Sequence, residues 1–241
     1  MLGVDSAWSP ASLPGLVAWW DADDAASFTY GSGSEVASWA SRVGSYNLGQ
    51  STASQRPSRS ATIGGKSAVQ FGADDWLSVA SFDMGAGQKV SLWIVCAVPS
   101  GSDRVLIEHT ADWWPNQGSF ICYRSSVNRM GFGRQGSSFL PTIWVTSGTL
   151  TTIAKSFVAV SDGTLPSNET VGWLNGSFAG SVQNNGNTNV SNRSDTLYVG
   201  ARGGSSLFSS ATIAEIGVST AAFTSDEALA LTSYLMAKWS L

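Results

Sequence analysis

The chain has 241 residues, of which 43% are hydrophobic and 12% are charged, so it can build a sizeable core and lacks the composition of a disordered protein. Its net charge of −4 argues against a surface that binds nucleic acids or anionic membranes. No segment is long and apolar enough to insert into a bilayer, and the amino-terminal residues lack the basic and apolar regions of a signal peptide.

The first predicted elements are a lead-in, a strand and a loop. Residues 1–14 predict an extended lead-in, and residues 15–21 predict a first strand that ends in an acidic turn. The polar, glycine-containing segment from residue 21 to about 62 predicts a long loop, which in many proteins carries function.

Many short strands follow. Residues 67–71 and 76–79 predict two strands that pair across a turn. The almost continuously apolar run 89–98 predicts a central strand covered on both faces. Apolar runs between turn residues predict further strands at 104–108, 119–123, 129–133, 142–145, 152–160, 171–174, 177–182, 197–199 and 211–218. This number of strands predicts an all-β fold of two stacked antiparallel sheets.

Two local signals are sharper. Asn175-Gly176 between two strand-like runs predicts a two-residue hairpin turn. Near the end of the chain, Thr224 and Glu227 have the spacing of a capping box and precede apolar residues at helical spacing. We therefore expect one α-helix, at about residues 225–238.

Three segments together resemble a known family: LPGLVAWWDADD with the later VASWASRVG and QRPS, then TIGGKSAVQFGADDWLSV, and finally ATIAEIGVSTAAFTSDEALALTSYLMAKWSL. They are similar to the laminin-G-like, concanavalin A-like jelly-roll domains of phage virion proteins and bacterial surface proteins. The resemblance implies one jelly-roll domain over residues 15–241, a sandwich of roughly twelve to fourteen strands, and ligands at the concave face or the loop rim.

Catalysis by a glycoside hydrolase would need two carboxylates on one face. The glucanases of this superfold carry a Glu-x-Asp-x-(x)-Glu run, and the sequence has none. Glu108 and Glu215 each stand alone in a strand-like run, and the acidic doublets Asp23-Asp24 and Asp74-Asp75 lie in predicted turns. The pattern therefore predicts a protein that is not an enzyme.

A metal site, if present, would suit calcium, because acidic turns offer hard oxygen ligands. Asp21, Asp23 and Asp24 are the first candidates, and Asp74-Asp75 the second. The alternative is that these aspartates accept hydrogen bonds from their own backbone, as aspartates in turns commonly do. We expect that no cofactor is required. His109 is the only histidine and predicts a polar residue at a strand end rather than a metal or catalytic centre.

The segment 112–117 predicts a ligand-binding loop. Trp113 and Trp114 are adjacent aromatic residues in a loop, and indole rings stack on sugars. Asp112, Asn116 and Gln117 would supply polar partners. The alternative is a loop that covers the sandwich or contacts a neighbouring subunit.

The cysteines Cys96 and Cys122 lie in separate strand-like runs. Two buried free thiols are the favoured interpretation, since a domain of this size needs no covalent cross-link, and a disulfide is the alternative.

The resemblance and the missing carboxylate pair lead to a ranked functional hypothesis. The first choice is a non-catalytic structural or adhesion module on a phage virion, as a tail, fibre or capsid-surface component. The alternative is a carbohydrate-binding lectin module, and a polysaccharide hydrolase ranks last. Expected partners are bacterial surface glycans or other virion proteins, in an oligomer or attached to a particle. The expected location is the virion, or otherwise the cell surface or the extracellular medium.

Overall fold

The computed structural model describes residues 8–112, 117–127, 129–134, 143–145, 153–165, 170–182 and 191–241. Within these ranges the chain forms strands that end where glycine, serine and aspartate turns begin. In chain order they are β1 (Leu16–Asp21), β2 (Phe28–Tyr30), β3 (Val36–Ala40), β4 (Asn47–Gly49), β5 (Ser58–Ile63), β6 (Lys66–Gln70), β7 (Leu77–Asp83), β8 (Lys89–Ala97), β9 (Arg104–Asp112), β10 (Gln117–Arg124), β11 (Met130–Arg134), β12 (Ile143–Val145), β13 (Lys155–Asp162), β14 (Thr170–Leu174), β15 (Ser177–Val182), β16 (Ser194–Val199) and β17 (Thr212–Ser219).

The strands form two antiparallel sheets. In the described part of the chain, an eight-stranded sheet has the order β15-β14-β13-β8-β17-β6-β5, with β1 also paired to β17. A nine-stranded sheet has the order β12-β11-β10-β9-β16-β7-β4-β3-β2. The prediction of a two-sheet, all-β fold is confirmed, although the strands outnumber those that the family resemblance implies.

The main core lies between the two sheets. Its side chains come from every second residue of a strand, because successive side chains point to opposite faces. In β16, for example, Leu197 and Val199 are fully buried in the core, so Tyr198 between them points to the outer face. Large aromatic rings fill the centre, among them Trp20 and Phe82, whose ring centroids lie 6.1 Å apart.

A second apolar layer covers the outer face of the eight-stranded sheet. The helix α1 (Ser225–Trp239) packs there, and its Leu235 and Trp239 are buried with Trp93 and Trp173 of the sheet. Because β8 faces the main core on one side and this layer on the other, seven of its nine residues are buried. The prediction of a central strand covered on both faces is confirmed.

The helix and the hairpin also match their local signals. The Thr224 side chain accepts a hydrogen bond from the Glu227 N–H, and the Glu227 carboxylate accepts one from the Thr224 N–H, which completes the capping box. Asn175 and Gly176 have φ angles of 47° and 79° between β14 and β15, as a type I′ turn requires.

The prediction of a long loop over residues 21–62 is wrong. This segment contains β2, β3, β4 and β5, and the first three lie at one edge of the nine-stranded sheet. Strands of only three to six residues carry little alternation of their own and are specified mainly by their partners. None of the helices in the described ranges has the length and apolar character to cross a membrane.

Candidate functional site

An aromatic pair lies on the outer side of the nine-stranded sheet, at the start of β7. Trp76 directly precedes β7, and Tyr198 projects outward from the neighbouring β16. The centroids of their rings lie 5.9 Å apart, and the ring planes are inclined by 51°. Both side chains are half-buried, so each ring keeps part of its surface in contact with solvent.

A carboxylate and a guanidinium group stand beside this pair. Glu108 of β9 lies directly opposite Tyr198 and is buried. One of its oxygens accepts a hydrogen bond of 2.9 Å from the Gly203 N–H, and the other lies 3.9 Å from Arg202 Nε. Glu108 therefore anchors the loop that carries Arg202, whose side chain stays 34% exposed.

That loop, residues 200–211 between β16 and β17, has unusual backbone angles. Leu207 has a φ of 46°, which is an outlier for a bulky residue. Gly204 has a φ of 69°, and a Cβ atom there would lie 3.1 Å from the Trp76 ring. Glycine therefore lets the loop pack directly on the indole. Backbone strain of this kind is concentrated at ligand sites. We call Trp76, Tyr198, Glu108 and Arg202 the Trp76 site.

The Trp76 site could not be predicted from the sequence, because its members come from separate elements. Tyr198 and Glu108 become neighbours only when β9 pairs with β16. One sequence signal was present, the paired glycines after Arg202, which indicate a tight turn with positive φ angles. Trp76, however, reads as an ordinary first residue of a strand.

The predicted tryptophan loop follows β9, the strand that carries Glu108. Asp112 and Gln117 lie opposite each other where β9 and β10 pair. Trp113, Trp114 and Asn116, together with the side chains of Asp112 and Gln117, lie outside the described residues. The assignment of this loop as a ligand site stays a prediction.

The three aspartates of the predicted calcium site face cationic side chains. Asp21 lies 2.7 Å from Arg42 and 2.8 Å from Lys238, and Asp23 lies 2.7 Å from Lys66. Asp21 and Asp24 also accept hydrogen bonds from the backbone N–H groups two residues later, which is the alternative considered from sequence. A calcium ion here would compete with these cations. Calcium binding stays a prediction.

Asp21 and Glu215 form a carboxylate pair that was not predicted. They lie directly opposite each other in β1 and β17, and a bulge after Ile213 turns Glu215 toward the outer side. Lys238 Nζ lies 2.8 Å from a carboxylate oxygen of each. The indole N–H groups of Trp19 and Trp239 each donate a hydrogen bond of 2.8 Å to Glu215.

Burial is the largest single influence on the pKa of both Glu215 and Lys238, but it decides the direction only for Glu215. It raises the pKa of Glu215 above its ordinary value, although Lys238 acts in the opposite direction. Burial also lowers the pKa of Lys238, but Glu215 and Asp21 together outweigh it, so the pKa of Lys238 is raised. Both carboxylates are at most 3% exposed. The arrangement can hold α1 against the sheet, and it leaves no room for a sugar between the acids.

His109 is a core residue. It is fully buried on β9, and its Nε2 lies 2.9 Å from the Phe82 carbonyl oxygen, between the rings of Phe82 and Phe120. Burial lowers its pKa, so the imidazole is favoured in its neutral form. The prediction of a polar residue at a strand end is therefore wrong, because β9 continues past His109 to Asp112.

The two cysteines are free and buried, as favoured from sequence. Cys96 lies on β8 of the eight-stranded sheet and Cys122 on β10 of the nine-stranded sheet, both in the main core. Burial raises the pKa of Cys96 to about 12 and that of Cys122 well above its ordinary value. Among the described residues, no three histidine, cysteine or acidic side chains are grouped as a metal site requires.

Comparison with known proteins identifies the fold. No protein-family model matches the chain, and no curated protein matches it. Solved structures do. A carbohydrate-binding module, the CBM40 of the Ruminococcus gnavus IT-sialidase bound to α2,3-sialyllactose, matches with a TM-score of 0.50 at 16% identity, over 61% of this chain and 83% of that one. The chain has a lectin-like β-sandwich fold.

Two sialidase structures are also similar to the chain. The Trypanosoma rangeli sialidase in complex with sialic acid matches with a TM-score of 0.61 at 11% identity, over 94% of this chain and 33% of that one. A mutant of the NanB sialidase from Streptococcus pneumoniae matches with a TM-score of 0.51 at 15% identity, over 67% of this chain and 27% of that one. The chain thus spans about a third or less of either sialidase, and at these identities the likeness concerns the fold.

Proposed function

We propose that the chain is a non-catalytic carbohydrate-binding module and that its ligand contacts the Trp76 site. The observation that carries the proposal is the half-buried pair of Trp76 and Tyr198 beside the partly exposed guanidinium group of Arg202. Aromatic rings stack on the apolar faces of sugars, and a nearby fixed polar group selects among sugar hydroxyl and carboxylate groups. The fold shared with the Ruminococcus gnavus module supports this proposal.

Sialyllactose is the first ligand to test. The Ruminococcus gnavus module is bound to it, and Arg202 offers a guanidinium group of the kind that pairs with a carboxylate. The weak contact with Glu108, at 3.9 Å, leaves the donors of Arg202 available to such a ligand. Bacterial surface polysaccharides, the partners expected from the sequence, form the second set of ligands.

The burial of the carboxylates supports a non-catalytic role. A glycosidase needs an acid and a second carboxylate that both reach the glycosidic bond. Asp21 and Glu215 form a buried network with Lys238, and Glu108 is 1% exposed beneath the loop it anchors. None of these three acids is placed to touch a sugar.

The predicted tryptophan loop is proposed as a second contact of the same module. β9 carries Glu108 of the Trp76 site, and Trp113 and Trp114 follow β9 in the sequence. The same strand therefore connects the two proposed contacts along the chain. Replacing Trp113 and Trp114 by alanine tests the loop separately from the Trp76 site.

A phage virion surface remains the proposed setting. It rests on the resemblance of the terminal segments to virion jelly-roll domains, and a host-glycan-binding module would suit that position. If the setting is right, the purified protein should form a defined oligomer or attach to a larger particle. A strictly monomeric protein that attaches to no virion component would contradict it.

The deciding experiment for the proposed function is a glycan array probed with the wild-type protein and with Trp76→Ala. We expect specific binding by the wild type and a loss of about fivefold to thirtyfold in affinity for the variant, because a stacked ring contributes on the order of 1–2 kcal/mol. Phe178→Ala is the matched control, because it removes a 62% exposed ring from β15 of the other sheet. Equal binding by wild type and Trp76→Ala, both folded, would refute the site.

A further inference from the structure

The side chain of Asn175 joins the turn between β14 and β15 to the neighbouring strand β13. The Asn175 N–H donates a hydrogen bond of 3.0 Å to the Ser156 carbonyl oxygen, and the Ser156 N–H donates one of 2.9 Å to Asn175 Oδ1. In an antiparallel ladder the acceptor of the second bond is ordinarily a main-chain carbonyl oxygen. Here the side-chain amide of Asn175 takes that place, so it is part of the sheet.

The main-chain nitrogen that follows this amide is not engaged. In the described part of the chain the Gly176 N–H has no hydrogen-bond partner. Glycine also has no side chain that could hinder the approach of the Asn175 amide carbon, Cγ, to this nitrogen. The turn therefore places an unengaged N–H directly after an asparagine whose side chain is fixed by a single hydrogen bond.

We propose that Asn175 is a site of deamidation and that its hydrogen bond to Ser156 sets the rate. The Gly176 nitrogen, after losing its proton to base, attacks Asn175 Cγ and closes a five-membered succinimide ring. The side-chain nitrogen leaves with that proton as ammonia. Water then opens the ring at one of its two carbonyl groups, which gives aspartate or isoaspartate. The only co-reactant is water, and no electrons are transferred.

The fold slows this reaction because the turn must open first. Cγ can reach the Gly176 nitrogen only after Asn175 Oδ1 has left the Ser156 N–H. The turn also lies against α1, since a Cβ atom at Gly176 would come within 2.9 Å of Met236 Sδ. Local openings of this kind cost less free energy than global unfolding. The folded protein should therefore deamidate at Asn175 slowly, and the unfolded chain much faster.

The two products have different effects on the hairpin. Aspartate at position 175 keeps an oxygen that can accept the hydrogen bond from Ser156. Isoaspartate adds one carbon to the main chain between residues 175 and 176, and so displaces Ser177 from Leu174, its partner in the ladder. Only isoaspartate should detach the hairpin from β13. This inference is independent of the proposed function, because the Trp76 site lies on the other sheet.

The test compares the rate of deamidation in the folded and the unfolded protein. The protein carries Asn185→Gln, because Asn185-Gly186 is the second Asn-Gly pair of the sequence and could react in the same way. It is incubated at a mildly alkaline pH, folded or in guanidinium chloride, and peptide mapping by mass spectrometry quantifies the three forms of residue 175. We expect conversion in both samples, at least about tenfold slower in the folded protein.

Variants at Ser156 test the hydrogen bond itself. Ser156→Pro removes the N–H donor without changing Asn175 or Gly176, so the folded protein should deamidate about fivefold faster. Ser156→Ala is the matched control, because it keeps the N–H and removes only a buried hydroxyl to which the described residues offer no hydrogen bond. Met236→Ala, which frees the turn from α1, replaces Ser156→Pro if that variant does not fold.

Slow conversion in the folded protein, accelerated by Ser156→Pro or Met236→Ala but not by Ser156→Ala, supports the inference. Three results would overturn it. The first is equal rates in the folded and the unfolded protein. The second is no conversion of folded Asn175 over many half-lives of the unfolded chain. The third is a folded Ser156→Pro or Met236→Ala variant that reacts no faster than Ser156→Ala.

Discussion

At the scale of single residues, the cluster around Lys238 shows how burial decides what a charged group does. Asp21 and Glu215 lie opposite each other in paired strands, as two catalytic carboxylates could, yet they share Lys238, and Glu215 also accepts hydrogen bonds from Trp19 and Trp239. Removing one member of a buried ion pair leaves an uncompensated charge, which costs far more than the loss of an exposed pair. The cluster is therefore a stability determinant.

We predict that Lys238→Met lowers the free energy of unfolding by about 3–5 kcal/mol, because it leaves the buried Glu215 carboxylate without a cation and takes one of the two cations from Asp21. Urea denaturation at neutral pH measures the loss. The matched control is Lys66→Met, which breaks the half-exposed pair with Asp23 and should change stability by less than about 1 kcal/mol. Equal losses in the two variants would show that the Lys238 cluster is not specially stabilising.

A second residue-scale prediction concerns pH. Burial lowers the pKa of His109 in the folded state, so the unfolded chain binds the proton more tightly. The free energy of unfolding should therefore decrease as the pH falls through about 6.5, the ordinary histidine pKa, and keep falling toward the lower folded pKa, with a slope of at most about 1.4 kcal/mol per pH unit.

The control for that pH dependence is His109→Gln, because His109 is the only histidine in the chain. Glu215 has a raised pKa in the folded state and so acts in the opposite sense, since its contribution to stability decreases as the pH rises. Only the difference in the free energy of unfolding between wild type and His109→Gln isolates the contribution of the histidine. Parallel stability curves for the two proteins from pH 7 downward would refute the assignment.

At the scale of elements, local signals were predictable and partner-dependent ones were not. The α1 capping box and the Asn175-Gly176 turn depend on neighbouring residues, and both were predicted. The short strands β2 to β4 depend on pairing with one another and with β7, so their sequences alone suggested a loop. The bulge that turns Glu215 outward is likewise set by the pairing of β17 with β8.

The helix supplies a matched pair of variants at this scale. Leu235→Ala removes a buried side chain from the layer between α1 and the eight-stranded sheet and should cost about 2–5 kcal/mol in the free energy of unfolding. Leu229→Ala, on the same helix but 44% exposed, should change it by less than about 0.5 kcal/mol. Thermal unfolding followed by circular dichroism compares them. A comparable loss in both would contradict the packing of α1 described here.

At the scale of the whole molecule, the fold class could be predicted from the sequence, whereas the candidate site could not. The fold class could be predicted because strand and turn signals recur along the entire chain. The Trp76 site could not, because it needs β7, β9, β16 and the following loop in their final positions. The aromatic pair that the sequence did suggest, Trp113-Trp114, stood out because its two rings are adjacent in the chain and lie in a predicted loop.

The cysteines report on the integrity of the whole sandwich. Cys96 and Cys122 belong to opposite sheets and are both buried in the core between them, so a reagent reaches both only when the sheets separate. We predict that iodoacetamide labels neither thiol in the native protein and labels both in urea, as measured by mass spectrometry. Labelling of one thiol under native conditions would indicate a local opening.

The pairing of β1 with β17 has a consequence for folding during synthesis on the ribosome. Trp19 and Glu215, joined by a hydrogen bond, are 196 residues apart in the chain. A ribosome adding about 5–20 residues per second needs on the order of 10–40 s to make that stretch. During that interval the tryptophan-rich first strand has emerged without its partner. We expect slow folding, since distant pairings close late, and a nascent chain that depends on chaperones until β17 has emerged.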